Sequence, residues 1–262
     1  MAKTPFDDYL QEINFQREVW RRKAVLRDLY HHWYQDVVAS LAPLKPVIEI
    51  GSGCGNFKAY FPECIATDVF RSGPWIDRIV DAHQLPFDAQ EAGNIVAFDV
   101  LHHLQRPLNF LRQAAQTLKP GGRLVFCEPA VSPWARLVYT ATHHEPMDFQ
   151  RDPFGLDGTP PEADPGHTFT NAAIPEILFW RQRERTLASV PGLSLLAARK
   201  FGFLLYPLTG GYSYRCFVPR FGFRTCLKLE DALLRPFANW LTGMRMLVVL
   251  EKTPAAAGAA VA

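Results

Sequence analysis

Three glycines at alternate positions follow an acidic residue in the segment Glu49 to Gly55, which reads E-x-G-x-G-x-G. An apolar, β-branched run directly precedes them, as in a buried strand that gives way to a helix. Glycines in such a loop let the backbone turn tightly and approach a ligand without conflict from Cβ atoms. The segment predicts a nucleotide-binding loop, with a tight turn that binds nothing as the alternative.

Two further carboxylates end the next two predicted strands. Asp68 closes the run C-I-A-T-D, about 20 residues beyond the start of the loop, where a carboxylate can accept hydrogen bonds from both ribose hydroxyls. Asp81 ends a third short strand, and with the backbone N–H of Ala82 it could read an adenine edge. Because the carboxyl ends of parallel strands share one edge of a sheet, we expect these groups to converge there.

Five motifs follow one another over residues 47–128 and resemble those of class I S-adenosylmethionine (SAM)-dependent methyltransferases. They read E-I-G-S-G-C-G, T-D-V, D-A-x-x-L-P-F, F-D-V-L-H-H-L and L-K-P-G-G-R-L-V. The resemblance implies SAM as cofactor, S-adenosylhomocysteine (SAH) as product, and methyl transfer as the activity. It also implies a set of cofactor-binding residues: Glu49, Gly51, Ser52, Gly53, Gly55, Asp68, Val69, Asp81, Ala82 and Phe98.

The resemblance also assigns each part of the cofactor to a part of this set. Glu49 and the glycine loop would face the methionine portion, Asp68 the ribose, and Asp81 with Ala82 the adenine. Phe98, at the end of the predicted fourth strand, would lie near the methionine arm or the methyl group.

A nicotinamide-dependent oxidoreductase on the same fold is a rival interpretation. Counting G-x-G-x-x-G from Gly51 places Asn56 where glycine or alanine is expected. Glu49 would repel a diphosphate, whereas it could hold the ammonium of SAM. A SAM-fold module that binds without catalysis is a second alternative. The strand-four sequence F-D-V-L also lacks the D/N-P-P-Y signature of enzymes that methylate base amino groups in DNA.

Several histidines are candidate general bases for an acceptor hydroxyl, because the pKa of histidine lies near neutral pH. His144 and His167 are the first choices for a catalytic role, with Glu145 as an orienting carboxylate. Surface or packed histidines without a role in catalysis are the alternative. His102 and His103 are interpreted as the structural start of a helix, with substrate contact as the alternative. No metal site is predicted, since the segment 143–148 matches no metal-binding spacing.

Elements that would position these residues alternate between strands and helices, which indicates a parallel sheet with crossover helices. We expect an α/β, Rossmann-like, mostly parallel seven-stranded sheet with helices on both faces; the resemblance adds an antiparallel last strand. Residues 1–42 would form an N-terminal helical cap, and residues 43–254 the SAM-binding domain. That domain would carry a lid loop at about 130–172 and an aromatic and basic cap at about 209–242. Residues 255–262 would be a flexible tail.

Composition limits the class of partner. The 262 residues carry a formal net charge of +2, which is too balanced for a protein that binds nucleic acid through its phosphates. Five scattered cysteines predict neither a disulfide framework nor a zinc site. The start of the chain has no apolar signal region and the longest apolar runs are strand-sized, so a cytoplasmic protein without a transmembrane segment is expected.

The acceptor is predicted only as a class. Aromatic and basic residues alternate in the insertion at about 209–242, which suits a small-molecule or lipid- or glycan-linked acceptor and leaves peripheral membrane contact open. A helical cap with a packed aromatic core and a solvated basic face is the alternative. The acceptor atom and the oligomeric state are left open.

Overall fold

Seven strands form one sheet in the order β3-β2-β1-β4-β5-β7-β6. The computed structural model describes residues 4–142, 145–155 and 169–254. The strands are β1 (Val47–Ile50), β2 (Ile65–Asp68), β3 (Arg78–Ile79), β4 (Ala92–Phe98), β5 (Leu118–Pro129), β6 (Leu193–Phe201) and β7 (Arg245–Lys252). The helices are α1 (Pro5–Arg22), α2 (Ala24–Ala39), α3 (Asn56–Tyr60), α4 (Pro107–Thr117), α5 (Pro133–Thr142), α6 (Ile174–Glu176), α7 (Arg183–Ser189), α8 (Leu205–Leu208) and α9 (Phe223–Phe237).

The strand directions confirm the predicted fold class. β1 pairs in parallel with β2 and β4, and β4 pairs in parallel with β5. β7 runs antiparallel to both of its neighbours, β5 and β6. From β1 the chain adds β2 and β3 on one side, and then β4 and the later strands on the other side. This change of side between β1 and β4 creates the crevice where open α/β sheets bind their ligands.

Helices cover both faces of the sheet, and each face has its own hydrophobic core. On one face Leu108 and Phe110 of α4 pack with Ile48 and Phe126 of the strands. On the other face the side chains come from α2 and α9: Leu26, Leu29, Trp33 and Val37 of α2, and Phe223 and Leu227 of α9. Burial on both sides explains why β1 reads as a continuous apolar run around Glu49.

α1 is attached differently from α2. Tyr9 and Ile13 of α1 pack in a small separate cluster with Cys54, beside Phe70 and Trp75. This cluster lies over the glycine loop, so the first part of α1 covers the loop, while Val19 and Trp20 near its end pack against the core that contains α2.

Two late elements differ from the sequence-based prediction. The run from Ser194 to Leu208 reads as one strand, but β6 ends at Phe201 and α8 follows. Gly202 has a φ of +71°, and Glu230 accepts hydrogen bonds from the N–H groups of Leu204 and Leu205. This distant carboxylate caps the short helix, and no local pattern reveals it.

The helical pattern of residues 174–190 predicts one continuous helix, but a π-helical turn, Ile177–Arg181, interrupts it. A second π-helical turn, Ala238–Thr242, extends α9. In the described part of the chain, every helix is too short or too polar to cross a lipid bilayer.

Candidate functional site

A cavity of about 940 Å³ opens at the carboxyl ends of β1, β2 and β4. Its size is at the upper end of the range for small-molecule sites, about 300–1,000 Å³. Residues from α1, from the glycine loop, from the end of β4 and from 206–217 all contribute to its walls. The cavity therefore occupies the crevice that the strand order creates.

The glycine loop owes its composition to the backbone and to its neighbours. Gly51 and Gly55 have φ values of 70° and 72°, in the left-handed region that favours glycine. A Cβ atom on Gly51 would lie 2.5 Å from Val100, and one on Gly55 would lie 2.4 Å from the ring of Trp75. The loop is thus held tightly between β1 and the chain around it.

Glu49 lies in β1, and its buried carboxylate contacts the glycine loop. Ser52 Oγ donates a hydrogen bond to Glu49 Oε2 at 2.7 Å, and the residue is 3% exposed. Burial raises the pKa of Glu49 to about 7, and the nearby Asp68 carboxylate adds to the rise, while the hydrogen bond from Ser52 opposes it. A positively charged group beside Glu49 would stabilise its ionised form.

Asp68 connects β2 with the loop and with α1. Its Oδ2 accepts a hydrogen bond from Gly53 N–H at 2.7 Å, and the Tyr9 hydroxyl is a second hydrogen-bond partner. Burial and the Asp68 carboxylate raise the pKa of Tyr9, so this phenol stays protonated and donates. Val69, the next residue, also lines the cavity.

Asp81 and Ala82 line the same cavity from the segment after β3. Asp81 Oδ1 accepts hydrogen bonds from the backbone N–H of His83 at 2.8 Å and contacts His83 Nδ1 at 3.0 Å. The hydrogen bond from the His83 side chain lowers the pKa of Asp81. His83 is a cavity residue that the sequence analysis missed, although it directly follows the D-A pair.

The structure brings nine of the ten predicted cofactor-binding residues to the cavity wall. They are Glu49, Gly51, Ser52, Gly53, Asp68, Val69, Asp81, Ala82 and Phe98. Gly55 lies behind the wall, against Trp75. Phe98 packs beside Tyr30 and Tyr34, with ring centroids 5.5 Å and 5.2 Å away.

A second part of the cavity is lined by phenols around an ion pair between a buried arginine and a partly exposed aspartate. Arg245 Nη2 lies 2.7 Å from Asp99 Oδ1, and the Arg245 guanidinium lies 5.1 Å from the Trp33 ring centroid and 5.2 Å from that of Phe98. The surrounding phenols are Tyr30, Tyr139, Tyr206 and Tyr212. Burial raises the pKa of each of them, which keeps them neutral.

The predicted aromatic insertion includes Tyr212, but no sequence motif indicated the other three phenols or the pair of Arg245 with Asp99. Arg245 is 2% exposed and begins the otherwise apolar run of β7. An arginine inside a buried strand was the one available signal, because charged residues are almost never fully buried unless they are paired.

His102 lies in a chain of charged groups at the cavity wall. Its Nδ1 is 2.6 Å from Oε2 of Glu128, and its Nε2 is 3.5 Å from Oε2 of Glu145. Glu128 is fully buried and also accepts hydrogen bonds from Val100 N–H and Leu101 N–H. Burial by itself would lower the pKa of His102, but the hydrogen bond that its ring donates to Glu128 and the negative charges of Glu128 and Glu145 raise it.

The histidine interpretation therefore changes in part. His102 and His103 line the cavity together with Glu145. One ligand atom from each of these three side chains falls within 4.8 Å of the others, a spacing that a metal ion could also use. The first choices, His144 and His167, lie outside the described residues and stay predictions.

A family model described as a methyltransferase domain matches residues 20–188. Among the curated proteins, none matches this sequence. Solved structures with the same fold include a SAM-dependent methyltransferase of Archaeoglobus fulgidus, 14% identical, with a TM-score of 0.53 over 86% of this chain and 94% of that one. A SAM-dependent methyltransferase of Thermotoga maritima is 14% identical, with a TM-score of 0.52 over 92% of this chain and 99% of that one.

A third similar structure is a methyltransferase of Haloferax volcanii, solved in complex with the Trm112 methyltransferase activator. It is 15% identical, with a TM-score of 0.50 over 92% of this chain and 98% of that one. Identities at this level show a common fold and nothing finer. The family match spans well over half of the sequence, and with it the chain belongs to the methyltransferase-domain family, as a class I SAM-dependent methyltransferase.

Proposed function

We propose that this enzyme methylates a hydroxyl group on a small or lipid-linked amphipathic acceptor, and that His102 accepts the proton. The observation that carries the proposal is the 2.6 Å contact between His102 Nδ1 and the buried Glu128 carboxylate. It favours the tautomer that carries its proton on Nδ1. Nε2, which lies 3.5 Å from Glu145 Oε2 at the cavity wall, is then left to accept a proton.

The cofactor end of the cavity fits SAM. Glu49 is a buried carboxylate whose ionised form an ammonium would stabilise, and the loop beside it presents bare backbone at Gly51 and Gly53. In this proposal Asp68 accepts hydrogen bonds from the ribose hydroxyls, and Asp81 with Ala82 faces the adenine. When bound, SAM supplies an electrophilic methyl group on its sulfonium.

The chain's own residues would then do three things. The phenols and Phe98 pack around the acceptor and keep water out, which favours a productive alignment. His102 Nε2 takes the proton from the acceptor hydroxyl as the oxygen gains the methyl group. Glu128 holds the resulting imidazolium, since its carboxylate already stabilises the charged ring.

An acceptor with apolar character is favoured by the wall around Arg245. Aromatic side chains surround this ion pair, and the wall continues to Tyr214 and Phe217, which are exposed at the rim of the cavity. A wall of this kind suits a molecule with an apolar body and few polar groups.

Incubation of cell extracts with SAM carrying a labelled methyl group tests the acceptor. We expect the label in the small-molecule or organic-soluble lipid fraction, and as a base-stable ether when the product is isolated. The Asp68→Ala protein provides the background, because it should bind the cofactor poorly. Label found only on protein or nucleic acid, or only on nitrogen, would contradict the proposal.

A further inference from the structure

α9 and the residues next to it expose an unusual amount of apolar surface. Phe221 is 96% exposed, Phe217 75%, Leu233 69% and Trp240 61%. We call this patch the α9 surface; its apolar members are Leu204, Phe217, Phe221, Leu229, Leu233, Phe237, Trp240 and Leu241. Single exposed apolar residues are normal, whereas a contiguous patch of large side chains marks an interaction site.

The helical members of the patch are contiguous because they follow one face of α9. Leu229, Leu233 and Phe237 are spaced four residues apart, so they lie in one row along α9. The row continues into the π-helical turn, where the rings of Phe237 and Trp240 are 5.9 Å apart. The opposite face of α9 is already buried in the core through Phe223 and Leu227. The exposed row is therefore a second apolar face, and no described part of the chain covers it.

Positive charge borders this row. The basic residues of the segment are Arg215, Arg220, Arg224, Lys228 and Arg235. Arg220 and Arg224 pair with Asp28, yet their side chains remain 66% and 72% exposed.

Both acidic residues of α9 are engaged within the protein. Glu230 accepts hydrogen bonds from the N–H groups that begin α8, and Asp231 lies 2.6 Å from His32 Nε2. The five basic residues still outnumber the three carboxylates beside them, Asp28, Glu230 and Asp231. The α9 surface therefore combines large apolar side chains with a net positive border.

The surface also reaches the cavity. Phe217 belongs to the patch and lines the cavity together with Tyr214. α5, which contributes Val138 and Tyr139 to the cavity wall, packs against the π-helical turn that carries Trp240. The mouth of the cavity and the exposed apolar row thus lie next to each other.

We propose that the α9 surface docks this methyltransferase on an anionic lipid bilayer. An amphipathic helix with aromatic residues on one side and basic residues along its border lies in the plane of the interface, and anionic headgroups attract the basic residues. Docking would place the cavity mouth at the lipid surface, where an amphipathic acceptor is concentrated. Vesicle binding needs no turnover, so it is measured independently of the acceptor.

Sedimentation of the full-length protein with lipid vesicles tests the docking. We expect binding to vesicles of phosphatidylcholine mixed with phosphatidylglycerol, and much weaker binding to phosphatidylcholine alone. Leu233→Ser should lower the partition coefficient about tenfold, as expected for a leucine that leaves an apolar environment. The matched control is Leu196→Ser on β6, which removes a leucine that is 48% exposed outside the α9 surface and should change nothing.

A second set of variants tests the electrostatic attraction between the basic residues and the anionic bilayer. Replacing Lys228 and Arg235 by glutamine should each lower binding about fivefold, since one basic residue near an anionic surface contributes roughly 1 kcal/mol. Added salt should likewise weaken the binding of the wild-type protein to anionic vesicles, because it screens the attraction between the basic residues and the headgroups.

Calorimetry with SAH verifies that each variant is folded and binds the cofactor as the wild type does. Light scattering then separates the bilayer from a second copy of the chain. A dimer that Leu233→Ser dissociates would assign the surface to self-association and overturn the proposal, as would wild-type protein that stays in the supernatant with anionic vesicles. A protein that binds SAH and methylates its acceptor, yet never sediments, would overturn the docking alone.

Discussion

Burial of Glu49 sets the pH range in which the cavity can accept a positively charged group. Its pKa of about 7 belongs to the protein without ligand, because burial penalises the charged form. In the proposed arrangement the ammonium of SAM or SAH lies beside this carboxylate and favours its ionised form. Below that pKa the protein must therefore release a proton from Glu49 in order to bind.

Affinity for SAH should consequently fall as the pH drops below about 7, by up to about tenfold per pH unit, and level off above it. Titration calorimetry on both sides of this pH measures the effect. The Glu49→Gln protein should bind weakly and without this slope, because an amide does not titrate. The same slope in the variant would show that another group is responsible.

Asp68 is expected to contribute to cofactor affinity through its charge. Asp68→Ala should weaken SAH binding by about 2 kcal/mol, because two ribose hydroxyls lose a charged acceptor. Tyr9→Phe removes only one hydrogen bond to the same carboxylate and should cost less. Replacement of the exposed Asp88 by alanine is the control. Unchanged affinity in Asp68→Ala would remove this residue from the site.

His102 predicts the pH dependence of the chemical step. A proton acceptor must be neutral, and the Glu128 contact raises the pKa of His102 above its ordinary value against the effect of burial. The value of kcat/KM should therefore rise with pH through that raised pKa and then level off. Glu128→Gln should move this limb to lower pH, because the ring loses the negative partner that favours its charged form.

His102→Gln should lower kcat by about two to four orders of magnitude, the usual contribution of a general base, and leave SAH affinity unchanged. A chelator separates this role from metal binding. Activity that persists in the chelator supports the base. Activity lost there and restored by a divalent ion would reassign His102, His103 and Glu145 to a metal site.

At the scale of elements, the glycine loop depends on two separate constraints. Gly55 and Gly121 have nearly equal φ values, 72° and 74°, but a Cβ atom on Gly121 would meet nothing within 4 Å. At Gly55 the same atom would press on Trp75, which is held in place by a hydrogen bond to Gly53 O at 2.9 Å. A comparison of alanine substitutions at Gly121 and Gly55 therefore separates the cost of backbone strain from the cost of a steric clash.

Gly121→Ala should destabilise the protein by about 1–2 kcal/mol, the cost of a left-handed alanine. Gly55→Ala should cost at least about 1 kcal/mol more, because the indole must move as well. Urea unfolding of the two variants measures both. Equal decreases in the free energy of unfolding would mean that Trp75 moves aside at no energetic cost.

Elements with strong local patterns were predictable, and elements fixed by distant partners were not. β1 and β4 are apolar runs next to turn residues, and their carboxyl ends carry Glu49 and Phe98 as expected. The sequence of α8 predicts a strand. The residue that caps this short helix is Glu230 on α9, and a local sequence pattern does not show that contact. Arg245 and Asp99 meet only after β7 has inserted beside β5. Sequence motifs thus anticipated the cavity wall around the glycine loop better than the wall around Arg245.

At the scale of the whole molecule, α1 and α2 are adjacent in sequence but differ in attachment. α2 is part of a main core, whereas the first part of α1 rests on the small cluster of Tyr9, Ile13 and Cys54. α1 also forms one wall of the cavity over the glycine loop. Segments with few buried contacts open at the lowest free energies, so we expect α1 to open and admit the cofactor.

Hydrogen exchange of the α1 amides should therefore slow when SAH binds. With free SAH at about one hundred times Kd, opening that releases the ligand would be suppressed up to about a hundredfold. Exchange in α4, which packs on the sheet away from the cavity, should stay the same. Equal exchange of α1 with and without SAH would mean that the cofactor enters by another route.

Arg17 identifies the contact that keeps α1 closed. Its Nη1 donates a hydrogen bond to Cys54 O at 2.7 Å, and its guanidinium lies 3.8 Å from the centre of the Trp75 ring. Arg17→Ala should speed both α1 exchange and SAH release, because a charged hydrogen bond and a cation–π contact are lost together. Arg21, on the same helix, pairs only with Glu18 at the surface among the described residues, so Arg21→Ala should leave both rates unchanged. Faster release in both variants would attribute the effect to the charge of the helix and not to the closed contact.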